Sequence, residues 1–571
     1  MRIRHISVLA ILALVALIYW PVRHGGFVWD DQLCFHDAAW LRSANWIHYL
    51  FRDFCDWKVY FRPLGILLFV GEIRAFDAAP GPMHLVSLFL HIINTALVGL
   101  LARRLTRARV EWAGPCAMLC YGLHPALVEP IAWASCQFDL MLVLLTLLGL
   151  WFNLSLRDGR ARAFAVALCF FAASCAKEPA AVFPALLVLF DGFTSDTPRL
   201  RTLWRRQSGV YVAVFVAGLA YLALRRWALG FLIPPVQALS ATPIAWLQEI
   251  CLTYVSYWKT ILWPMTGAGP IHPVEVTRLA ALSSSTLAVD AIAAAVLGFG
   301  LYSLWKGRLA GYWIAAVTAA LLPVLNLAPV AFTESLYHER YAMTAIAITC
   351  ALLPALLAPA LARERVARLA LPAIAVFWLA LAIINVRVTL PLWNDEQTLW
   401  QWALRENPGS LLARDRLLYF YVTRGDRVHA RELADALVAE NAPCPACMLN
   451  AALVAIADGD AERAARALHN LDSSADALAD NPRLLHEYVY INGKLLQLRG
   501  DLVGAEDAYR DAITLDPLDP LPHWNLALLL ATQGQTDAAR KAADAALALF
   551  TPDQREARST QFEQALTRRN R

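Results

Sequence analysis

Apolar residues fill the first two-thirds of the chain in long blocks, and polar residues are confined to short breaks between them. The first block, residues 2 to 19, starts at Arg2 and Arg4 and runs to Tyr19-Trp20-Pro21. An interfacial aromatic pair stands there in place of a small-residue cleavage site, so the block reads as a first membrane span and not as a cleaved signal. Further spans are expected near 83 to 101, 112 to 125, 139 to 156, 163 to 176, 179 to 193, 208 to 224, 286 to 305, 309 to 331, 341 to 361 and 369 to 390, about eleven in all. The stretch 244 to 265 fits the charge pattern only if it lies in the membrane or re-enters it without crossing.

Orientation follows from the basic residues, because cytoplasmic loops carry the excess of positive charge. Alternate connections hold them: Arg103, Arg104, Arg107 and Arg109; Arg157, Arg160 and Arg162; Arg199, Arg201, Arg205 and Arg206; Lys306 and Arg308; Arg363, Arg365 and Arg368. With the N-terminus inside, an odd number of spans places everything after them outside. Arg225 and Arg226 stand apart at the outer end of a span, where they either snorkel to headgroups or meet an anionic ligand.

Past residue 395 the period changes. Alanine and charged residues alternate at helical spacing, and turn glycines recur at Gly425, Gly459, Gly500 and Gly534, separated by 34, 41 and 34 residues. Ala430, Ala464, Ala505 and Ala539 follow them five residues on. A 34-residue period is that of the tetratricopeptide repeat. The expected fold is therefore all-α: a polytopic transmembrane helical bundle over 1–395, then an α-solenoid of about four repeats over 396–571.

Composition agrees with this division. Of 571 residues, 58% are hydrophobic and 17% charged, and mean hydropathy is +0.46, too apolar for a soluble protein. The net charge of +4 is small and its basic residues are scattered, so nucleic acid is not an expected partner. Arginine dominates over lysine, which with abundant alanine suggests GC-rich coding and a bacterial cytoplasmic (inner) membrane. Seven of the eleven cysteines lie in or beside apolar runs and read as packing. Cys34 with Cys55, and Cys444 with Cys447, are the pairs able to form disulfides in an oxidising compartment.

The polar breaks on the outward side carry the candidate chemistry. The first loop reads Phe27-Val28-Trp29-Asp30-Asp31, and adjacent carboxylates repel, which raises one pKa unless a cation or hydrogen bond intervenes. Such a pair serves as a general base, holds a divalent metal through hard oxygens, or is simply a solvated loop. Next come His124-Pro125 through Glu129 to Trp133 and Asp139, then Lys177-Glu178-Pro179, then Glu334-Ser335-Leu336-Tyr337-His338-Glu339-Arg340-Tyr341. Ionised groups near a bilayer are costly, so these either pair with one another or serve a site. Lys177 with Glu178 also reads as a mutual ion pair capping a hairpin. His84 and His91 read as packing histidines.

Taken in order, these pieces resemble the transmembrane and tetratricopeptide-repeat protein O-mannosyltransferases, membrane glycosyltransferases of the GT-C type. The matching stretches are Phe27 to Asp31; Phe61-Arg62-Pro63-Leu64 with His84 and His91; Leu123-His124-Pro125 through Glu129 to Asp139; Ala176-Lys177-Glu178; Glu339-Arg340-Tyr341; and Trp393-Asn394-Asp395-Glu396 leading to Asn407-Pro408. Cys136-Gln137-Phe138-Asp139 stands where the family often has glycine-arginine before the aspartate, leaving Arg62, Arg225 or Arg340 to supply a phosphate contact.

The resemblance implies inverting transfer of one sugar from a polyprenyl-phosphate carrier to a hydroxyl, Ser or Thr of an envelope protein bound by the repeats. Transfer to a lipid or glycan, and a non-catalytic scaffold, are the alternatives. It implies Asp30 as base with Asp31 in support, and Lys177, Arg340, Arg62 and Arg225 around the donor phosphate. His124, Glu129, Asp139, Glu178, His338 and Glu339 are supporting acids and bases. No cofactor is obligatory; a divalent metal on Asp30, His124, Glu129, Asp139 and His338 is the further option.

Overall fold

A computed structural model describes residues 2–31, 34–35, 41, 46–51, 60–195, 200–232, 242–265, 269–273, 279, 283–327, 335–471, 478, 481–550 and 552–569. Every regular element among them is helical. The chain divides into two compact units, the first over Met1–Phe35 and Ala44–Trp402, the second over Ala403–Arg571 with His36–Ser43.

The first unit contains α1 (Arg2–Tyr19), α2 (Pro63–Phe76), α3 (Pro80–Leu105), α4 (Ala113–Gly122), α5 (Gln137–Ser155), α6 (Gly159–Ala176), α7 (Phe183–Thr194), α8 (Leu200–Leu229), α9 (Pro243–Leu262), α10 (Ser284–Trp305), α11 (Leu309–Leu321), α12 (Met343–Arg363) and α13 (Arg365–Thr389). Among the described residues eight helical stretches are long and apolar enough to cross a membrane: Ser7–His24, Pro80–Leu105, Ala134–Ser155, Gly159–Ala176, Arg201–Leu229, Ser284–Trp305, Glu339–Arg363 and Arg365–Trp393. That is the make-up of a multi-pass membrane protein. The spans containing α3 and α5 are 61% buried, whereas those of α10 and α13 are only 17% buried and turn apolar side chains outward.

Eleven spans are expected from hydropathy and eight meet the length. The remaining three, α4, α7 and α11, have 10, 12 and 13 residues, against the roughly 20 that a crossing helix needs. Each gives way to 3₁₀ turns at a proline-containing break: Pro125–Leu127 after α4, Glu178–Val182 before α7, and Leu322–Val324 after α11. Proline cannot donate the next helical hydrogen bond, so the regular helix stops there. The polar stretches around His124, Lys177 and His338 thus follow or precede helices that end early. Helix α9 occupies the stretch expected not to cross; it is 20 residues long and carries Glu249 and Lys259.

The second unit is a run of helix pairs: α14 (Leu411–Arg424) with α15 (Arg427–Ala439), α16 (Pro445–Ala457) with α17 (Ala461–His469), α18 (Pro482–Arg499) with α19 (Leu502–Leu515), α20 (Pro520–Gln533) with α21 (Thr536–Leu549), and then α22 (Pro552–Arg569). The turn inside each pair is a glycine with left-handed backbone, φ 72° at Gly425, 76° at Gly459, 86° at Gly500 and 83° at Gly534, a conformation that side chains disfavour. After three of them an aspartate caps the next helix, Asp426, Asp460 and Asp501 accepting from His429, Arg463 and Gly504 backbone N–H groups. Ala430, Ala464, Ala505 and Ala539 are all buried, where only a small side chain lets the paired helices close.

Between successive pairs, His486 of α18 is held from both ring nitrogens, Nδ1 at 3.0 Å from the Ala512 carbonyl and Nε2 at 2.9 Å from Asp519 Oδ2. Two acceptors require two N–H donors, hence an imidazolium. Burial alone would lower its pKa, but Asp519 and the carbonyl hold it above its ordinary value. The contribution is therefore complete below the unfolded-state pKa of about 6.5 and disappears as pH rises through the raised folded value. Hydrogen exchange over residues 482–515 of the intact chain, corrected for intrinsic rates, should show weaker protection at pH 8.5 than at pH 6. His486→Gln should remove that difference; an unchanged difference in the variant would assign it to another group.

Candidate active site

Four polar segments of the first unit meet: the loop at Trp29-Asp30-Asp31, the broken helix from His124 to Cys136, the turn Lys177–Val182, and Ser335–Ala342 at the head of α12. Backbone N–H groups at these breaks are taken up by acidic side chains, those of Val28, Ala134 and Ser135 by Asp31 and that of Arg340 by Glu129.

Asp31 is the clearest case. It is fully buried, with Oδ1 accepting from Ser135 N at 2.7 Å and Ser135 Oγ at 2.6 Å, and Oδ2 from Ala134 N at 3.2 Å and Val28 N at 3.3 Å. Burial pushes the carboxyl up to about 7, against those four hydrogen bonds. Asp31 therefore pins the first loop to the start of α5 and has both oxygens occupied. Asp30 beside it is only half-buried, and its carbonyl accepts from Cys34 N at 2.8 Å.

The residue that orients this loop is Trp29. Its backbone is left-handed, φ 58°, uncommon for a bulky side chain and sustained only by strong surroundings. The indole stacks on Trp133 at 4.7 Å and 17°, lies 4.7 Å from Trp400, and meets His338 edge-on at 5.8 Å.

The cations are each matched to an acid distant in sequence. Lys177 Nζ is 2.6 Å from Asp139 Oδ2, with both side chains buried, and sits 5.0 Å over the Tyr341 ring. Arg340 pairs with Glu129 through its guanidinium and also donates its backbone N–H to Glu129 Oε2 at 3.1 Å. Its guanidinium carbon lies 4.5 Å from each of the Trp133 and Tyr341 rings. Glu178 is gripped by Arg62, with Nη2 at 2.9 Å and Nε at 3.1 Å, while Arg225 Nη1 is 3.7 Å away. Burial alone would raise the Glu178 carboxyl; Arg62 overrides it and holds it below its ordinary value. The expected Lys177–Glu178 pair is replaced by these two separate ones, because consecutive residues entering a 3₁₀ turn diverge.

His338 and Glu339 also diverge. Glu339 Oε1 is 2.8 Å from His272 Nε2, and His272 stacks on Tyr337 at 4.0 Å. Burial disfavours charge on His272, but Glu339 more than compensates and holds the imidazole above its ordinary pKa. His338 is buried 3.7 Å from Glu129 Oε1; burial first, then Arg340, His272 and Lys177, push it well below its ordinary value, so it is neutral. His124 stands elsewhere: Nδ1 accepts from Ala126 N at 3.3 Å, and Nε2 lies 3.1 Å from the Ile261 carbonyl. With both nitrogens engaged it holds a turn. His84 and His91 likewise bind backbone, at the Gly26 and Gly122 carbonyls, 3.0 Å each.

Asp139, Arg340 and Tyr341 line a narrow crevice together with mostly apolar residues, among them Leu142, Val143, Val182, Ala320, Val324 and Met343. The arrangement joins charged groups to a mostly apolar slot.

The chain matches no protein-family model and no curated protein at a significant level.

The structure thus gathers Lys177, Asp139, Arg340, Glu129 and His338 around Tyr341 and Trp133, with Arg62, Glu178 and Arg225 as a second group. The carboxylates proposed for a metal are bound to cations or apart, and among the described residues the one three-ligand cluster of metal-binding type is Asp415, Cys444 and Cys447. Cys34 is buried; Cys55 and Glu334 lie outside the described residues. Sequence reasoning passed over His272, 67 residues from Glu339, which no local pattern marks. It also gave no role to Trp29, whose neighbour Asp30 drew the attention.

A buried pair broken on one side leaves an uncompensated charge costing about 3 to 5 kcal/mol, whereas replacing both partners by apolar groups costs little. Asp139→Asn should lower the thermal midpoint of the detergent-solubilised chain strongly, and Lys177→Met with Asp139→Leu should recover most of it. Equal destabilisation of single and double variants would show that the ion pair is not what the fold depends on.

Proposed function

We propose that the chain is a membrane-embedded glycosyltransferase of the GT-C type. It transfers one sugar from a polyprenyl phosphate, with inversion, to a hydroxyl, most simply that of Ser or Thr in a protein held by tetratricopeptide-type repeats in the second unit. The observation that carries this reading is a mostly apolar crevice lined also by Asp139, Arg340 and Tyr341. A lipid phosphate is itself an anion on a greasy chain; Arg340 lines the crevice, and Lys177 lies behind it against Asp139 and Tyr341, which line it too. The crevice as it stands, about 20 Å³, holds little more than a water, so its walls part to admit an isoprenoid.

In this mechanism the acceptor hydroxyl attacks the anomeric carbon, the bond to the phosphate oxygen breaks, and the hydroxyl proton passes to Asp30. Lys177 donates to Asp139 with one of three N–H groups, and Arg340 has five N–H groups in its fork, so both have donors to offer a departing phosphate. Their acid partners hold them in place beforehand, so little reorganisation accompanies the developing charge. Asp31 fixes the loop that presents Asp30, and Trp29 supplies an aromatic wall of the kind that stacks on sugar rings. No metal is required by these steps.

Asp30→Asn keeps size while removing charge and proton affinity. It should reduce transfer from a defined polyprenyl-phosphate sugar by at least about 10²-fold with the chain still folded. Full activity of the purified variant would take Asp30 out of the mechanism.

On this reading α4, α7 and α11 complete their crossings with the flanking turns, giving eleven passages and a second unit in the periplasm of a bacterial inner membrane. Eight crossings would return it to the side of the N-terminus. A C-terminal alkaline phosphatase fusion should be active; an inactive fusion together with an active cytoplasmic reporter at the same position would establish the even number.

A further inference from the structure

The second unit carries chemistry that sugar transfer does not use. Cys444 and Cys447 are joined in a disulfide with Pro445 and Ala446 between them. Cys444 is the N-cap of the thirteen-residue helix α16, and its Sγ accepts from the backbone N–H of Cys447 at 3.2 Å. The two sulfurs differ in access, Cys444 being half-buried and Cys447 fully buried. Asp415, from α14, brings a carboxylate oxygen within 4.8 Å of both sulfurs. It is itself 8% exposed and is oriented by α16, Asn450 Nδ2 donating to its Oδ1 at 2.8 Å.

A structural role explains little of this. A cross-link between residues three apart closes a minimal loop, and the stabilisation a disulfide offers grows with loop length. Cys447 is already held by its helix. A carboxyl buried against sulfur is costly, and a stability role does not call for it. The same features suit thiol–disulfide exchange. A thiolate at Cys444 is favoured by the helix N-terminus and the Cys447 N–H. A buried thiol at Cys447 needs a nearby group to exchange its proton.

We propose that Cys444 and Cys447 are a redox-active dithiol–disulfide pair that exchanges with paired thiols of a protein substrate, Asp415 relaying the proton of Cys447. A substrate thiolate attacks Cys444 Sγ; the new S–S bond forms as the Cys444–Cys447 bond breaks, and Cys447 leaves with the electron pair and takes a proton from Asp415. The second substrate thiolate attacks the substrate sulfur of the mixed disulfide and releases Cys444 as a thiolate. The substrate ends as a disulfide, two electrons having passed to Cys444 and Cys447, and the reverse sequence reduces a substrate disulfide. The groups facing Asp415 are Arg416 on its own helix, Asn450 on α16, and Arg483 and Glu487 on α18. Burial raises its carboxyl above the ordinary value, opposed by Arg416 and Asn450; its place within 4.8 Å of both sulfurs is what fits it to pass a proton to Cys447.

The test uses the full chain in detergent, equilibrated in buffers of graded reduced and oxidised glutathione, quenched by alkylation and read by mass spectrometry of the peptide containing Cys444 and Cys447. The pair should interconvert reversibly in the folded chain, and limiting iodoacetamide should label reduced Cys444 before Cys447. Asp415→Asn, with helicity and elution unchanged, should slow exchange on the order of 10²-fold and abolish an inflection in its pH profile. Should that variant misfold, the order of labelling and the wild-type pH profile decide alone. A pair that stays oxidised until the chain is unfolded overturns the proposal, as does wild-type rate and pH profile in Asp415→Asn. Stoichiometric zinc uptake by the reduced chain that blocks re-oxidation overturns it in favour of a metal site.

Discussion

An ionised carboxylate in an apolar interior needs a compensating cation or a set of aligned donors, and the candidate site of the first unit is organised around that requirement. Asp139 has Lys177, Glu129 has Arg340, and Asp31 has the backbone at Ala134 and Ser135, while the partly exposed Glu178 has Arg62. Each link joins segments from different parts of the chain, 38 residues apart for Lys177 and Asp139, 211 for Arg340 and Glu129. Because removal of one partner strands the other, each link couples segments distant in the chain. The candidate site is the place where the links cross.

This bears on what is legible in a sequence. The second unit can be read closely: the glycines spaced 34, 41 and 34 residues apart are the left-handed turns, and the alanines five residues later are the buried ones. All of these are local needs, met by residues near in sequence. In the first unit hydropathy locates the apolar blocks, but not their helical length. A proline-containing break inside an apolar run ends the helix without interrupting the hydropathy, so α4, α7 and α11 look longer in sequence than they are.

The site residues were visible as polar groups in apolar surroundings, and their partners were not. Adjacency misleads here. Asp30 and Asp31 read as a pair, yet one is half-buried and the other is tied to backbone on both oxygens. Lys177 and Glu178 read as an ion pair, yet each turns to a different neighbour. Side chains of consecutive residues point apart in turns and extended segments, and only the tertiary fold decides what each one meets.

The short helices have one more consequence. A bilayer meeting a hydrophobic surface shorter than its own core thins, at a modest cost for each ångström of mismatch. At about 1.5 Å per residue, α4, α7 and α11 are far below the usual core thickness of about 30 Å. Where they reach the surface of the bundle, lipid headgroups would be drawn inward. Under the proposed function, the membrane itself would then lower a lipid-linked donor toward Lys177 and Arg340, so that part of the work of delivering it falls to the elasticity of the bilayer.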